Sequence, residues 1–110
     1  MKTTAMLKRV VIFIDETDRY HGANLGAALL DRLRKEGCAG ATMFKGIAGF
    51  GVHKQVHTAA IMDLAVSLPD MIVMMDTEEK VAQIMPILEE MIPEGLIAID
   101  DVQTTKFSKA

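Results

Sequence analysis

The sequence has one cysteine, no tryptophan and only 5% aromatic residues among its 110 residues. A lone Cys38 cannot form an intramolecular disulfide, which fits a reducing compartment. Because large rings are scarce, the core must consist of aliphatic side chains and of methionine, which packs adaptably. Five of the nine methionines fall in apolar segments and are expected to fill the core or an interface: Met71, Met74, Met75, Met85 and Met91.

The chain also lacks an excess of positive charge and any long hydrophobic run. Its formal net charge of −3 excludes a broadly basic nucleic-acid-binding protein. The apolar runs reach only about five residues, far short of the roughly 20 that cross a bilayer, so we expect no membrane insertion. Residues 1–9 do not resemble a signal peptide. We therefore expect a single cytoplasmic domain over residues 1–110.

The first half of the chain has clear signals for a strand and a helix. Residues 10–14 are β-branched or aromatic and predict a strand. Asn24 is a favourable N-cap for a helix with leucine and alanine at helical spacing over residues 25–35. Gly37 can adopt the left-handed conformation that ends this helix. Residues 41–47 fit a second strand.

The middle segment is rich in glycine and is less clearly patterned. Residues 46–58 are predicted to form a long loop or a hairpin tip, with closely spaced glycines at its start. The apolar residues of 59–68 fit both a helix and a strand, and we expect extended structure there.

The last part of the chain predicts a strand, a helix and a strand. Pro69 can open a strand over residues 71–75. Asp76 and Glu79 have the spacing of a capping box, with Asp76 as the N-cap of the second helix. Pro86 inside that helix predicts a kink. A short strand follows at residues 96–99.

The resulting order, βαββαβ, is that of the α+β ferredoxin-like fold, with an antiparallel sheet and two helices on one face. A half-solvated antiparallel strand should alternate apolar and polar residues, yet residues 10–14 and 71–75 are apolar throughout. The two helices can cover only one face. We therefore expect the chain to self-associate through the other face, unless residues 59–68 fold back over it.

This topology predicts that polar side chains from two loops lie close together at one edge of the sheet. The first two strands run in the same direction, so the loops that follow them should meet there. The residues that these loops bring together are Asp15, Asp18, Arg19, Tyr20, His21, Lys45, Gly46, Gly49, Gly51, His53, Lys54 and His57.

These residues are suited to recognition more than to reaction. Closely spaced glycines let backbone N–H groups approach an anion, although Gly46-x-x-Gly49-x-Gly51 matches neither a Walker nor a Rossmann fingerprint. His53 and His57 have a zinc-like spacing only if that segment is helical. No residue set supplies both a nucleophile and a base, so we expect no catalytic residues and no enzyme activity.

The stretch from Gly40 to Gly51, Gly-Ala-Thr-Met-Phe-Lys-Gly-Ile-Ala-Gly-Phe-Gly, resembles the PII-like signalling proteins. Residues 18–22, Asp-Arg-Tyr-His-Gly, and Leu68-Pro69 sharpen the resemblance to an uncharacterised PII-like group, domain-of-unknown-function family 190. The similarity extends roughly over residues 7–102. A PII protein would have a substantial loop between the second helix and the last strand, where this chain has only residues 93–95.

This resemblance implies a homotrimer of ferredoxin-like subunits with ligand clefts between them. It also implies a loop that senses an adenine nucleotide and docks onto a transporter or an enzyme. Carried over to this chain, Gly49, Gly51, Lys54 and Gln55 would line the phosphate side of a cleft, with Lys45 and His57 nearby.

Three functions are therefore considered. The first is a trimeric PII-like sensor that binds a nucleotide or small anion and relays its occupancy through the 46–58 loop. The second is a divalent-metal-binding protein of the same fold that uses Asp18, His21, His53 and His57. The third is a structural adaptor whose apolar surface docks a partner such as a transporter.

Overall fold

Six strands and two helices account for most of residues 1–51 and 68–109, which are the residues that the computed structural model describes. In chain order the elements are β1 (Lys2–Asp15), β2 (Arg19–Tyr20), β3 (Ala23–Asn24), α1 (Leu25–Lys35), β4 (Ala41–Lys45), β5 (Pro69–Asp76), α2 (Glu78–Met91) and β6 (Leu96–Phe107). The predicted βαββαβ order is confirmed, with the short hairpin β2–β3 added between β1 and α1. The extended structure expected for residues 59–68 lies, apart from Leu68, outside the described residues.

Strands β4, β5, β1 and β6 form one sheet in that order, and each neighbouring pair is antiparallel. This arrangement confirms the predicted ferredoxin-like α+β fold. No helix in the described ranges is long and apolar enough to span a membrane.

The core lies between the sheet and the two helices. Successive strand residues point to opposite faces, and the even-numbered residues at 10–14 of β1 and 70–76 of β5 are buried. The buried hydrophobic side chains are Val10, Ile12, Ile14, Leu25, Leu29, Leu33, Ile72, Met74, Val81, Ile84, Leu88 and Met91.

The other face of the sheet remains apolar and uncovered by either helix. The strand register places Phe44 opposite Met71, and Phe13 opposite Leu96, across this face. Phe44 is 51% exposed and Leu96 is 61% exposed. We call this surface the open face; it also includes Val73. The sheet thus has the two unequal faces that its unbroken apolar strands predict.

Strands β1 and β6 extend well beyond the predicted segments 10–14 and 96–99. Their polar halves pair with each other, from Arg9 opposite Asp100 to Lys2 opposite Phe107. This ribbon has polar side chains on both faces, so its hydrophobic pattern does not predict strands there. Cross-strand side-chain pairs stabilise it instead. One such pair is Lys8 with Asp101, at 2.6 Å.

Local signals explain most helix ends. The Asn24 side chain accepts a hydrogen bond from the Ala27 amide at the start of α1, and Gly37 has a φ of 82° just after its end. The predicted capping box is wrong in one respect: Thr77, not Asp76, is the N-cap of α2. Asp76 is instead the last residue of β5, and its carboxylate accepts hydrogen bonds from the amides of Ala39 and Thr77.

Helix α2 continues through Pro86 as a single helix, and the predicted kink there stays a prediction. The predicted second strand ends earlier than expected, at Lys45. The Gly46 amide donates to the Pro69 carbonyl oxygen, but Pro69 has no N–H to return a ladder hydrogen bond, so the pairing does not continue beyond it.

Candidate functional site

Strands β1 and β4 end at the same edge of the sheet, and the loops that follow them are tied to one segment, residues 68–70. The Glu16 amide donates a hydrogen bond of 2.9 Å to the Leu68 carbonyl oxygen. The Gly46 amide donates one of 2.7 Å to the Pro69 carbonyl oxygen. The two loops therefore meet through a shared segment that leads into β5.

An ion-pair cluster lies at this junction. The ammonium group of Lys45 is 3.1 Å from Oδ1 and 3.3 Å from Oδ2 of Asp70, and it donates a hydrogen bond to Oδ2. Oδ1 is closer but poorly aligned, and it accepts no hydrogen bond from any described residue. Glu16 adds a second carboxylate oxygen 4.0 Å from the same ammonium. The ammonium of Lys45 thus lies close to two carboxylates, which neutralise its positive charge.

Asp70 is fully buried although it carries a charge. A Cβ atom on Gly26, in the first turn of α1, would lie 3.5 Å from Oδ2 of Asp70. The positive end of the α1 dipole favours a carboxylate at this position. Asp70 was not among the predicted site residues. The alternation of the strand could have indicated its burial, because Asp70 lies on the same inward face of β5 as Ile72 and Met74.

The glycine-rich segment packs against Pro69. A Cβ atom on Gly46 would lie 2.6 Å from a Pro69 ring carbon, and one on Gly49 would lie 2.9 Å from it. Gly51 has a φ of 113°, a conformation that other residues rarely adopt. In the same segment Ile47 is 93% exposed and Phe50 is fully exposed.

The acidic residues of the first loop are engaged in local hydrogen bonds. Asp15 accepts from the amide and hydroxyl of Thr17. Asp18 accepts from the Asp15 amide through its side chain and from the Leu25 amide through its backbone carbonyl. These bonds shape the turn that leads into α1. Residues 1–51 and 68–109 contain no cluster of three or more His, Cys, Asp or Glu residues that could hold a metal ion.

Hairpin β2–β3 directs two predicted site residues to a different place. Its turn has positive φ at His21 (49°) and Gly22 (83°), as a two-residue type I′ turn requires. The His21 ring stacks on that of Tyr20, with centroids 4.1 Å apart. The Tyr20 hydroxyl donates to Glu90 of α2. Partial burial and then the Glu90 carboxylate raise the pKa of Tyr20.

The structure thus brings together only part of the predicted site. Lys45, Gly46 and Gly49 lie at the junction with residues 68–70. Tyr20 instead bonds to α2, and His21 and Arg19 are exposed residues of the hairpin. Four predicted residues lie outside the described part of the chain: His53, Lys54, Gln55 and His57.

A separate cavity of about 380 Å³ lies between the C-terminal half of α1 and the start of β4. Leu30, Arg34 and Cys38 are among the residues that line it. Burial raises the pKa of the Cys38 thiol, and the Asp76 carboxylate raises it further. A raised pKa disfavours the thiolate, the form in which a cysteine acts as a nucleophile.

The sequence matches the model of the DUF190 family, described as "Uncharacterized ACR", over residues 7–104. It is similar to UPF0166 protein MJ1524 of Methanocaldococcus jannaschii, with 37% identity over 100 residues, covering 90% of this chain and 92% of that protein. It is also similar to the UPF0166 protein of Aquifex aeolicus, with 35% identity over 98 residues, covering 87% of this chain and 90% of that protein.

Among solved structures, the fold is similar to that of CPII from Thiomonas intermedia. The CPII structure bound to ADP, AMP and acetate has a TM-score of 0.61 and 20% sequence identity, covering 93% of this chain and 91% of CPII. The apo structure, described as a nitrogen regulatory PII-like protein, has a TM-score of 0.58 and 16% identity, covering 96% of this chain and 99% of CPII. At these identities the similarity shows a shared fold.

Proposed function

The chain belongs to the DUF190 family and has a PII-like fold, and we propose that it is a regulatory protein that binds a nucleotide or a related small anion. The observation that carries this proposal is the junction at residues 68–70, where the two loops that follow β1 and β4 are held together. Two loops connected in this way can present their backbone groups to one ligand.

The glycine-rich segment is the proposed ligand-binding element. Because Asp70 and Glu16 already neutralise Lys45 and the Gly46 amide is bonded to Pro69, we assign anion recognition to the backbone N–H groups after Gly46, where glycines allow close approach. CPII shares this fold, and its structures contain ADP and AMP together with acetate or bicarbonate. We therefore propose an adenine nucleotide as the main ligand, with bicarbonate as a second anion to test.

The open face supports the proposal of a homotrimer. Exposed Phe44 and Leu96 form part of a continuous apolar surface, and burying such a surface releases about 25 cal/mol per Å². Self-association would bury this face without an additional helix or strand. The ligand clefts would then lie between neighbouring subunits, as the family resemblance implies.

The same loop is the proposed contact with a partner protein. Ile47 and Phe50 are almost fully exposed, and the glycines beside them pack on Pro69. Two apolar side chains held outward can insert into a partner's surface. We propose a transporter or an enzyme as that partner, and a regulatory rather than a catalytic role for this chain.

Isothermal titration calorimetry of the wild-type protein tests the ligand proposal. The titrants are ATP, ADP, AMP, cyclic AMP and a cyclic dinucleotide, each with and without bicarbonate. We expect saturable binding of at least one adenine nucleotide. Absence of binding by all of them would remove the nucleotide proposal.

A matched pair of glycine variants tests whether the loop forms the site. Gly51→Ala and Gly37→Ala both place a side chain at a positive φ, in the loop and after α1 respectively. Both should lose some stability through backbone strain. Only Gly51→Ala should weaken nucleotide binding, and equal affinities for the two variants would place the ligand elsewhere.

A structural adaptor is the second candidate, and exposed Ile47 and Phe50 favour it. It predicts that an affinity pull-down captures the same partner with and without nucleotide. The Ile47→Ser, Phe50→Ser double variant should lose that partner under both conditions. Nucleotide-dependent capture would instead support the sensor.

A further inference from the structure

We infer that Asp70 is a positioning residue: its buried carboxylate holds Lys45 and thereby joins the two loops of the candidate site into one unit. This inference rests on the proposed function only where it concerns ligand affinity. The structural coupling itself can be measured in the absence of any ligand.

The contacts of Asp70 place it at the centre of the junction. Its carboxylate pairs with Lys45, the last residue of β4 before the glycine-rich segment. The same ammonium lies 4.0 Å from Glu16, which follows β1. The Asn24 side-chain amide donates a hydrogen bond of 3.2 Å to the Glu16 carbonyl oxygen, which extends the connection to the cap of α1.

The pair of Asp70 and Lys45 differs from a surface ion pair because one partner is buried. The Asp70 side chain is fully buried, whereas that of Lys45 is 56% exposed. Separating the pair would leave a buried carboxylate without a cation, which is costly, so Lys45 is strongly retained. The incomplete hydrogen bonding of Oδ1 makes Asp70 still more dependent on that ammonium.

Strand β5 supplies a matched control at its other end. Asp76 shares the inward face of β5 with Asp70 and is also buried. Its carboxylate accepts hydrogen bonds from the backbone amides of Ala39 and Thr77. Asp76→Asn therefore perturbs the same strand and face without touching the junction.

The direction of the affinity change separates positioning from simple electrostatics. Removing a negative charge near an anion site would, by itself, strengthen anion binding slightly. Releasing Lys45 would instead let the glycine-rich segment shift, and each misplaced N–H group would bind the anion less well. A weaker affinity in Asp70→Asn would thus report lost positioning and not lost charge.

The ligand-free test compares two-dimensional ¹H–¹⁵N spectra of the wild type, Asp70→Asn and Asp76→Asn in the full-length protein. We expect Asp70→Asn to shift the amide resonances of Gly46 and Gly49 together with those of Glu16 and Asp18, whereas Asp76→Asn leaves all four in place. Equal shifts in the two variants, or shifts confined to one loop, would overturn the inference. If Asp70→Asn fails to fold, Lys45→Gln, which alters the exposed partner, should produce the same joint shifts.

The second measurement is the affinity of these variants for the nucleotide bound by the wild type. We expect Asp70→Asn to bind about tenfold more weakly, the scale of a lost charge-assisted hydrogen bond, and Asp76→Asn to bind like the wild type. Unchanged or tighter binding by Asp70→Asn would refute positioning. If the wild type binds no nucleotide, the proposed function fails while the spectra still decide the coupling.

Discussion

The amide of Gly46 donates a 2.7 Å hydrogen bond to the carbonyl oxygen of Pro69, and no space remains between the two residues for a side chain. A Cβ atom on Gly46 would lie 2.6 Å from the Pro69 ring and 2.8 Å from that carbonyl oxygen. This contact anchors the glycine-rich segment to β5, and it makes the segment sensitive to a single methyl group.

Gly46→Ala should therefore destabilise the protein by about 1–3 kcal/mol, the usual cost of overpacking. Chemical denaturation measures this loss. Gly40→Ala is the control, because a Cβ atom there meets nothing within 4 Å, and its stability should stay within about 0.5 kcal/mol of the wild type. Equal stabilities for the two variants would contradict the packing of Gly46 on Pro69.

Charge on the open face should prevent self-association. Phe44→Glu places a carboxylate on this apolar surface at a position that is already half-exposed, so the subunit should still fold. We expect sedimentation equilibrium to show a trimer for the wild type and at least about a hundredfold weaker association for the variant, which corresponds to about 2.7 kcal/mol.

Gln83→Glu, at an exposed position of α2, is the control for added negative charge and should assemble like the wild type. A wild-type monomer at micromolar concentration would contradict self-association through the open face.

The ion pair of Arg9 with Asp100 should make the stability of the folded protein decrease at acid pH. The guanidinium hydrogen bonds hold the pKa of Asp100 below its ordinary value of 3.8. Because the folded state favours the ionised carboxylate, its contribution is present above the unfolded-state pKa and is lost as the pH falls through the folded-state value.

Asp100→Asn should therefore lower Tm near pH 7, and the difference from the wild type should shrink below about pH 4. Thermal unfolding across this range checks it, and Arg9→Gln should show the same pH dependence. A difference that grows on acidification would contradict the pairing.

Cys38 should react slowly with alkylating reagents in the folded protein. Burial, and then the Asp76 carboxylate, raise the pKa of its thiol above the ordinary 9.0, so little thiolate is present near pH 8. Iodoacetamide labelling followed by mass spectrometry should be several-fold faster in urea than in buffer. Because the folded state favours the neutral thiol, Cys38 should add to the free energy of unfolding at neutral pH. This contribution is lost as the pH rises through the folded-state pKa of the thiol. Rapid labelling of the folded protein would identify a reactive thiol instead.

Much of the fold follows from local patterns. Asn24 and Gly37 mark the ends of α1 where the structure has them, because capping and positive φ depend on neighbouring backbone groups. The unbroken apolar strands predict the open face, since two helices cannot cover both sides of a sheet. The exact cap of α2 was missed because Asp76 and Thr77 are both good N-caps, and Asp76 is instead held by Ala39 from a distant part of the chain.

The candidate site was predictable only in outline. Topology alone indicates that the loops after β1 and β4 meet at one edge. It does not indicate that Tyr20 bonds to Glu90, 70 positions away in the sequence. Nor does it reveal the ribbon of β1 and β6, whose polar residues pair across about a hundred intervening residues.

The sequence by itself determined the order of elements, the ferredoxin-like topology and the two unequal faces of the sheet, because these depend on residue periodicity and short-range signals. Only the tertiary structure decided that Lys45 faces the buried Asp70. The physical reason is that a charge can be buried only where folding brings it a partner, and this partner comes from 25 positions earlier in the chain.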